Sequence, residues 1–283
     1  MNKWVIGARP RTLPAAVAPV MVATSLAGGD AAFIPALLAL IVSLSLQVGV
    51  NYANDYSDGI RGTDADRVGP TRITAAGLAS PSSVKAAAFI AFGIGAVAGL
   101  ALAMMTSWWL IAVGLAAIMA AWGYTGGKNP YGYLGLGELF VFIFFGVVAT
   151  VGTFYVQTER ITVNSILASI PMGTFACALL AINNIRDRAL DAPAGKKTLA
   201  VRLGDRRARY FFATLILLGY IAAFAIAKPW ILLTLLTTPI AFSIVRGVLG
   251  SAQGRDLIPY LAKTGQLQLL FAVIFSISLL LGA

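Results

Sequence analysis

The 283-residue chain contains no histidine and a single cysteine, Cys177. Without histidine there are no imidazole metal ligands, no Ser-His-Asp triads and no histidine proton shuttles. One cysteine makes no internal disulfide, no CxxC pair and no thiolate cage. Lying in an apolar stretch, it reads as small core filler. Charge is scarce too: Asp, Glu, Lys and Arg make up 11% of residues, against about 25% in soluble domains. Acids are the scarcer sign, with 11 Asp and Glu against 21 Lys and Arg and a net charge of +10. No stretch is long enough for a soluble basic domain, so no nucleic-acid partner is expected. These shortages exclude an ordinary cytosolic enzyme, and the hydrophobic content excludes a disordered chain.

What the chain has in excess is apolar surface: 59% of residues are hydrophobic and the mean hydropathy is +0.84. A bilayer core takes about 20 predominantly apolar residues per helix. Nine stretches qualify, roughly 12–29, 33–53, 84–104, 107–124, 134–156, 163–184, 209–227, 230–249 and 264–282. Pro14 and Pro19 interrupt the first, which membrane helices tolerate when neighbours satisfy the freed backbone groups. The expected fold is all-α, a multi-pass membrane protein of nine transmembrane helices in one domain over 1–283. The positive-inside rule gives a separate count. With the N-terminus in the cytoplasm, only Arg160 and Lys228 of the 21 Lys and Arg fall outside. One missed helix would invert everything after it.

The few acids are grouped. Asp55, Asp58, Asp64 and Asp66 follow the second span, and Asp187 and Asp191 follow the sixth. Asparagines precede both groups: Asn51 and Asn54, then Asn183 and Asn184. Asn54 to Asp58 is an i, i+4 spacing, and so is Asp187 to Asp191, so each pair shares a face wherever the helix continues. Carboxylates gathered at a membrane-helix end repel one another and need a cation. Oxygen donors alone select a hard ion such as Mg²⁺ or Mn²⁺. Arg61, Arg67 and Arg72 stand beside the first group, and Arg186, Arg188, Lys196, Lys197 and Arg202 beside the second. Metal with Arg and Lys is the combination that clamps a diphosphate. Asp66, Arg67, Arg188, Arg206, Arg207 and Arg209 read instead as loop-solvating and topology charges. Duplication of an Asn/Asp set at one-turn spacing singles out Asn54, Asp58, Asp187 and Asp191.

The segment Asn54-Asp55-Tyr56-Ser57-Asp58, with Gly62 and Asp64 after it, resembles the first aspartate motif of the UbiA-type membrane prenyltransferases. Asn183-Asn184-Ile185-Arg186-Asp187 through Asp191 resembles the second, and Gly195-Lys196-Lys197-Thr198 through Gly204 continues the likeness. Where several members carry a further Asp, four residues after Asp58, this chain has Gly62, and the next acid is Asp64. That form, the opening Ala8-Arg9-Pro10-Arg11-Thr12 and the segment Asp66–Arg72 are closest to the MenA branch, which prenylates 1,4-dihydroxy-2-naphthoate.

The resemblance implies Mg²⁺-dependent transfer of a polyprenyl group from its diphosphate to dihydroxynaphthoate, with loss of CO₂ and diphosphate, in menaquinone biosynthesis. It implies a central cavity capped by two cytoplasmic loops, expected at 54–83 and 185–208, and an active site facing the cytoplasm. Asn54, Asp58, Asp187 and Asp191 are expected to hold the metal and carry catalysis, with Asp64 as a helper ligand. Arg72, Lys128 and Lys197 are candidates for diphosphate, and Tyr124 for phosphate or the prenyl cation. Arg11 is a candidate for an aromatic carboxylate, and Asn51, Asn183 and Arg186 for lining or supporting the site. Glu138, an acid inside the fifth span, is a functional candidate whose partner the sequence does not name. Of Phe140, Phe142, Phe144 and Phe145, most are expected to face lipid rather than a tail channel. Rival readings are a prenyltransferase for 4-hydroxybenzoate, homogentisate or haem and, from another class, an ion-coupled transporter.

Overall fold

Long apolar runs leave backbone groups no partner in a bilayer but one another, so each closes as a helix. The computed structural model describes residues 2–62, 69 and 71–282. Ten helices run in chain order: α1 (Lys3–Ala8), α2 (Pro14–Ala27), α3 (Phe33–Arg61), α4 (Pro81–Met105), α5 (Leu110–Gly123), α6 (Gly137–Thr158), α7 (Val163–Asp191), α8 (Leu199–Phe224), α9 (Pro229–Leu249) and α10 (Gly254–Leu281). Polar caps set several starts. Ser80 Oγ accepts from Ser83 N, and Thr162 with Ser165 forms a reciprocal capping box. Gly62, at φ +70°, closes α3 by donating its N–H to the carbonyls of Asp58 and Gly59.

All nine expected stretches fall on helices, but fewer than nine of those helices are long and apolar enough to cross a membrane. Seven, α3, α4 and α6 to α10, are long and apolar enough to cross a membrane. Lys3–Thr12 and Pro14–Asp30, bent by 51°, make an eighth if together they form one span. At 14 residues, α5 is about 21 Å long, short of the roughly 30 Å hydrocarbon core. Large apolar side chains such as Ile90, Val97, Leu217, Leu236 and Phe242 are exposed along these helices. That is the surface of a multi-pass membrane protein, whose outer face meets lipid rather than water.

Two expected loops turn out to be partly helical. α3 continues through Arg61 and α7 through Asp191, and α8 already begins at Leu199. The acids therefore sit on the last turns of helices that enclose a cavity, where neighbouring cations shield them.

The helices close a ring around that cavity. α3 packs along α4 and α6, α6 along α2 and α7, α7 along α8, and α10 returns against α2 and α7. The crossing of α6 and α7 rests on Gly146 and Gly173. A Cβ on Gly146 would lie 2.6 Å from Gly173 Cα, so only glycine allows that approach. Gly146 falls in a π-helical turn, Phe142–Val148, within α6. The main apolar core, with Phe175, Phe212, Phe271 and Phe275 fully buried, joins α7, α8 and α10.

Candidate active site

A cavity of about 980 Å³ lies inside the ring. One end is polar and is built from the ends of α3 and α7. The other is an apolar arm reaching Ala39, Leu102 and Val156. From Asn54 to Ala39 along α3 is about 22 Å at 1.5 Å per residue.

The i, i+4 spacing acts as expected: Asn54 and Asp58 from α3, and Asn183, Asp187 and Asp191 from α7, all line the polar end. Asn54 Oδ1 accepts from Thr125 Oγ1 at 2.7 Å. Asp58 is buried; its Oδ1 accepts from the Tyr133 hydroxyl at 2.5 Å, and its Oδ2 lies 3.2 Å from Lys196 Nζ and 3.6 Å from Arg72 Nη2. Asp187 takes a two-pronged bond from Arg186, Nε to Oδ1 at 2.7 Å and Nη2 to Oδ2 at 2.6 Å. Arg186 is thus the buried counter-ion of Asp187 and does not line the cavity.

Arg72 is placed by an acid that sequence reading left open. The carboxylate of Asp55, fully buried, accepts the backbone N–H groups of Ile73 at 3.0 Å and Thr74 at 2.9 Å. Asp55 therefore pins the returning chain to α3 and delivers Arg72 into the cavity. Asn51 lines the cavity and ties α3 to the N-terminal segment, donating from Nδ2 to Ala8 O at 2.9 Å and to Thr12 Oγ1 at 3.0 Å. Arg11 stands exposed at the cavity's edge, and Tyr124 lines the wall.

Two expected diphosphate cations are placed elsewhere. Lys128 is exposed and outside the cavity, on the turn after α5. Lys197 is also exposed, its N–H being spent on Tyr133 O at 2.9 Å, and that bond turns its neighbour Lys196 inward. Lys196, buried and on the Asp58 carboxylate, takes the position expected of Lys197. Tyr133 escaped sequence reading altogether, because nothing local marks it, and the tyrosine singled out in this segment is Tyr124.

Asp64, expected as a helper ligand, lies outside the described residues, as do Asp66 and Arg67. Glu138 is buried behind the cavity wall, where its Oε1 accepts from Asn184 Nδ2 at 3.0 Å. Its partner comes from a helix far along the chain. The phenylalanines of α6 correct an expectation: Phe140, Phe144 and Phe145 line the cavity, and only Phe142 turns away, toward Gly173. Tyr131, Phe140 and Phe144 stack in a row, with centroids 4.0 and 6.3 Å apart. Burial pushes the Tyr131 phenol up, so it stays neutral and donates to Ala120 O at 2.8 Å.

Among the described residues, no three acids gather closely enough to form a ready-made ion cage. The donor set still suits Mg²⁺. Every donor is an oxygen, and Mg²⁺ is commonly held by one or two carboxylates together with substrate phosphates rather than by an all-protein cage. Arg72 and Lys196, resting on Asp58, are within reach of any anion placed there.

Residues 16–257 match the profile of the UbiA prenyltransferase family. The chain is 48% identical to a 1,4-dihydroxy-2-naphthoate octaprenyltransferase of Mycobacterium tuberculosis, over 99% of this chain and 97% of that one. It is 36% identical to the enzyme of the same name from Escherichia coli, over 99% and 95%. Its fold is similar to that of a UbiA homologue from Archaeoglobus fulgidus bound to GPP and Mg²⁺. The TM-score is 0.70 at 14% identity, covering 99% of each chain.

Proposed function

The chain belongs to the UbiA prenyltransferase family, and we propose that it transfers a polyprenyl group from its diphosphate to 1,4-dihydroxy-2-naphthoate, releasing CO₂ and diphosphate. One observation carries this reading: two asparagine–aspartate helix ends and two buried cations share a cavity with an aromatic-walled apolar arm. The names of the relatives in M. tuberculosis and E. coli point to this acceptor.

Asn54, Asp58, Asp187 and Asp191 would hold Mg²⁺, with Asp64 a further oxygen donor. Mg²⁺, when bound, neutralises the charge that builds on the departing diphosphate. Arg72 and Lys196 swing from Asp58 to the diphosphate oxygens and share that task. Arg186 stays on Asp187 and fixes where that carboxylate points. The bond between the prenyl C1 and its oxygen breaks with both electrons going to diphosphate. Tyr131, Phe140 and Phe144 flank the electron-poor allylic chain, and the apolar walls keep out the water that would turn it into an alcohol. The ring carbon bearing the carboxylate forms the new C–C bond. Loss of CO₂ then returns an electron pair to the ring, so this step needs no base. Arg11 supplies a cation for the acceptor carboxylate.

Lys and Arg asymmetry supports a reading with nine crossings, α5 among them, and with the N-terminus and the active site on the cytoplasmic face. The test is turnover by the purified chain in detergent with Mg²⁺, dihydroxynaphthoate and prenyl diphosphates of several lengths. Prenylated naphthoquinol and stoichiometric CO₂ are expected. Turnover of 4-hydroxybenzoate or homogentisate with none of dihydroxynaphthoate would overturn the acceptor assignment.

A further inference from the structure

The short segment between α5 and α6 does more than connect them. Within it, Tyr133 touches both halves of the site. Its hydroxyl donates to Asp58 Oδ1 at 2.5 Å. Its ring is met by two cations, Lys196 Nζ at 4.9 Å and Arg61 Cζ at 5.3 Å from the centroid. Its carbonyl accepts the N–H of Lys197 at 2.9 Å. Arg61 in turn donates to the carbonyls of Thr125 and Gly127, fastening the same segment to the end of α3. The side chain of Tyr133 thus contacts an acid and a base from the first motif and a base from the second, and its backbone carbonyl holds the backbone of the second.

The two atoms of the Asp58 carboxylate are engaged differently. Among the described residues, Oδ1 accepts from that hydroxyl, whereas Oδ2 faces Lys196 and Arg72, the cations assigned above to diphosphate. A hydroxyl on one oxygen fixes the rotation of the carboxylate and leaves the other oxygen aimed at the cations. A ring face under Lys196 holds that ammonium over the same oxygen without neutralising it.

We propose that Tyr133 is a positioning residue with two separable tasks: its hydroxyl orients Asp58 toward the metal, and its ring holds Lys196 for the diphosphate. This rests on the functional reading above and adds to it a residue from outside both aspartate motifs.

The two tasks come apart by substitution. Tyr133→Phe removes the hydroxyl and keeps the ring; Tyr133→Leu removes both. The first readout needs no substrate: thermal unfolding of the purified chain in detergent, titrated with MgCl₂. The second is steady-state turnover, with the Mg²⁺ requirement and the KM for prenyl diphosphate measured separately. Tyr133→Phe is expected to raise half-saturating Mg²⁺ about tenfold in both assays, the scale of one hydrogen bond to a charged group, with the KM for prenyl diphosphate within about twofold of the parent. Tyr133→Leu is expected to raise that KM about tenfold as well. Normal half-saturating Mg²⁺ in Tyr133→Phe, or a lowered melting temperature with no change in that value, would overturn the proposal alone. Absence of any Mg²⁺-induced stabilisation in the parent chain would overturn it together with the metal assignment.

Discussion

Adjacent lysines offer the sharpest test of the site, because the sequence treats Lys196 and Lys197 alike and the structure does not. The perturbation is Lys196→Met against Lys197→Met, each keeping most of the side-chain volume. Lys196 Nζ lies 3.2 Å from Asp58 Oδ2, and its side chain is only 10% exposed. At that distance and an effective dielectric of about 20, the gross attraction is about 5 kcal/mol, much of it offset by desolvation. Losing one charge-assisted bond costs about 1.5–3 kcal/mol net, or roughly ten- to 150-fold in kcat/KM. Lys196→Met should lose that much, chiefly through a higher KM for prenyl diphosphate. Lys197 is exposed, and exposed charges are worth about 0–1 kcal/mol, so Lys197→Met should change kcat/KM less than about fivefold. The assay is prenyl transfer at saturating Mg²⁺, with melting temperatures taken in parallel. A larger loss at Lys197 than at Lys196, or normal turnover in both, would refute the reasoning.

Other consequences are equally direct. Asp58→Ala should abolish EDTA-sensitive prenyl transfer with the fold retained, checked by turnover and gel filtration. Asp187→Ala should abolish it too and also lower the melting temperature, because it strands the buried Arg186, a loss of about 3–5 kcal/mol. Arg209→Ala should destabilise by a similar amount in thermal unfolding. Its guanidinium, 5% exposed as a residue, bonds Asp205 and the carbonyls of Val248, Gly250 and Ala252, capping α9. Arg209→Lys should rescue little, since an ammonium lacks the planar fork. Gly146→Ala should cost about 1–3 kcal/mol in the same measurement, as its Cβ meets Gly173 backbone and the two helices must separate.

By itself the sequence determined the environment and the chemistry. A chain so short of charge and so rich in 20-residue apolar runs is committed to a bilayer, because helix formation there is the local answer to unpaired backbone groups. The scarcity of acids made the i, i+4 pairs stand out, and spacing alone put Asn54 with Asp58, and Asp187 with Asp191, on common faces. These are local properties, legible one helical turn at a time. Only the tertiary structure decided which residues meet across the chain: Tyr133 on Asp58, Asn184 on Glu138, Asp55 on the backbone that delivers Arg72, and Arg209 on the end of α9. Arg209, read from sequence as a topology charge, is a buried latch, and the inward lysine is Lys196 because a backbone bond from Lys197 to Tyr133 turns it. Such contacts join residues tens of positions apart, and their geometry comes from helix packing. They leave no periodic trace along the chain, so the residues that share a helix face at the cavity could be read from the sequence but the contacts they make across it could not.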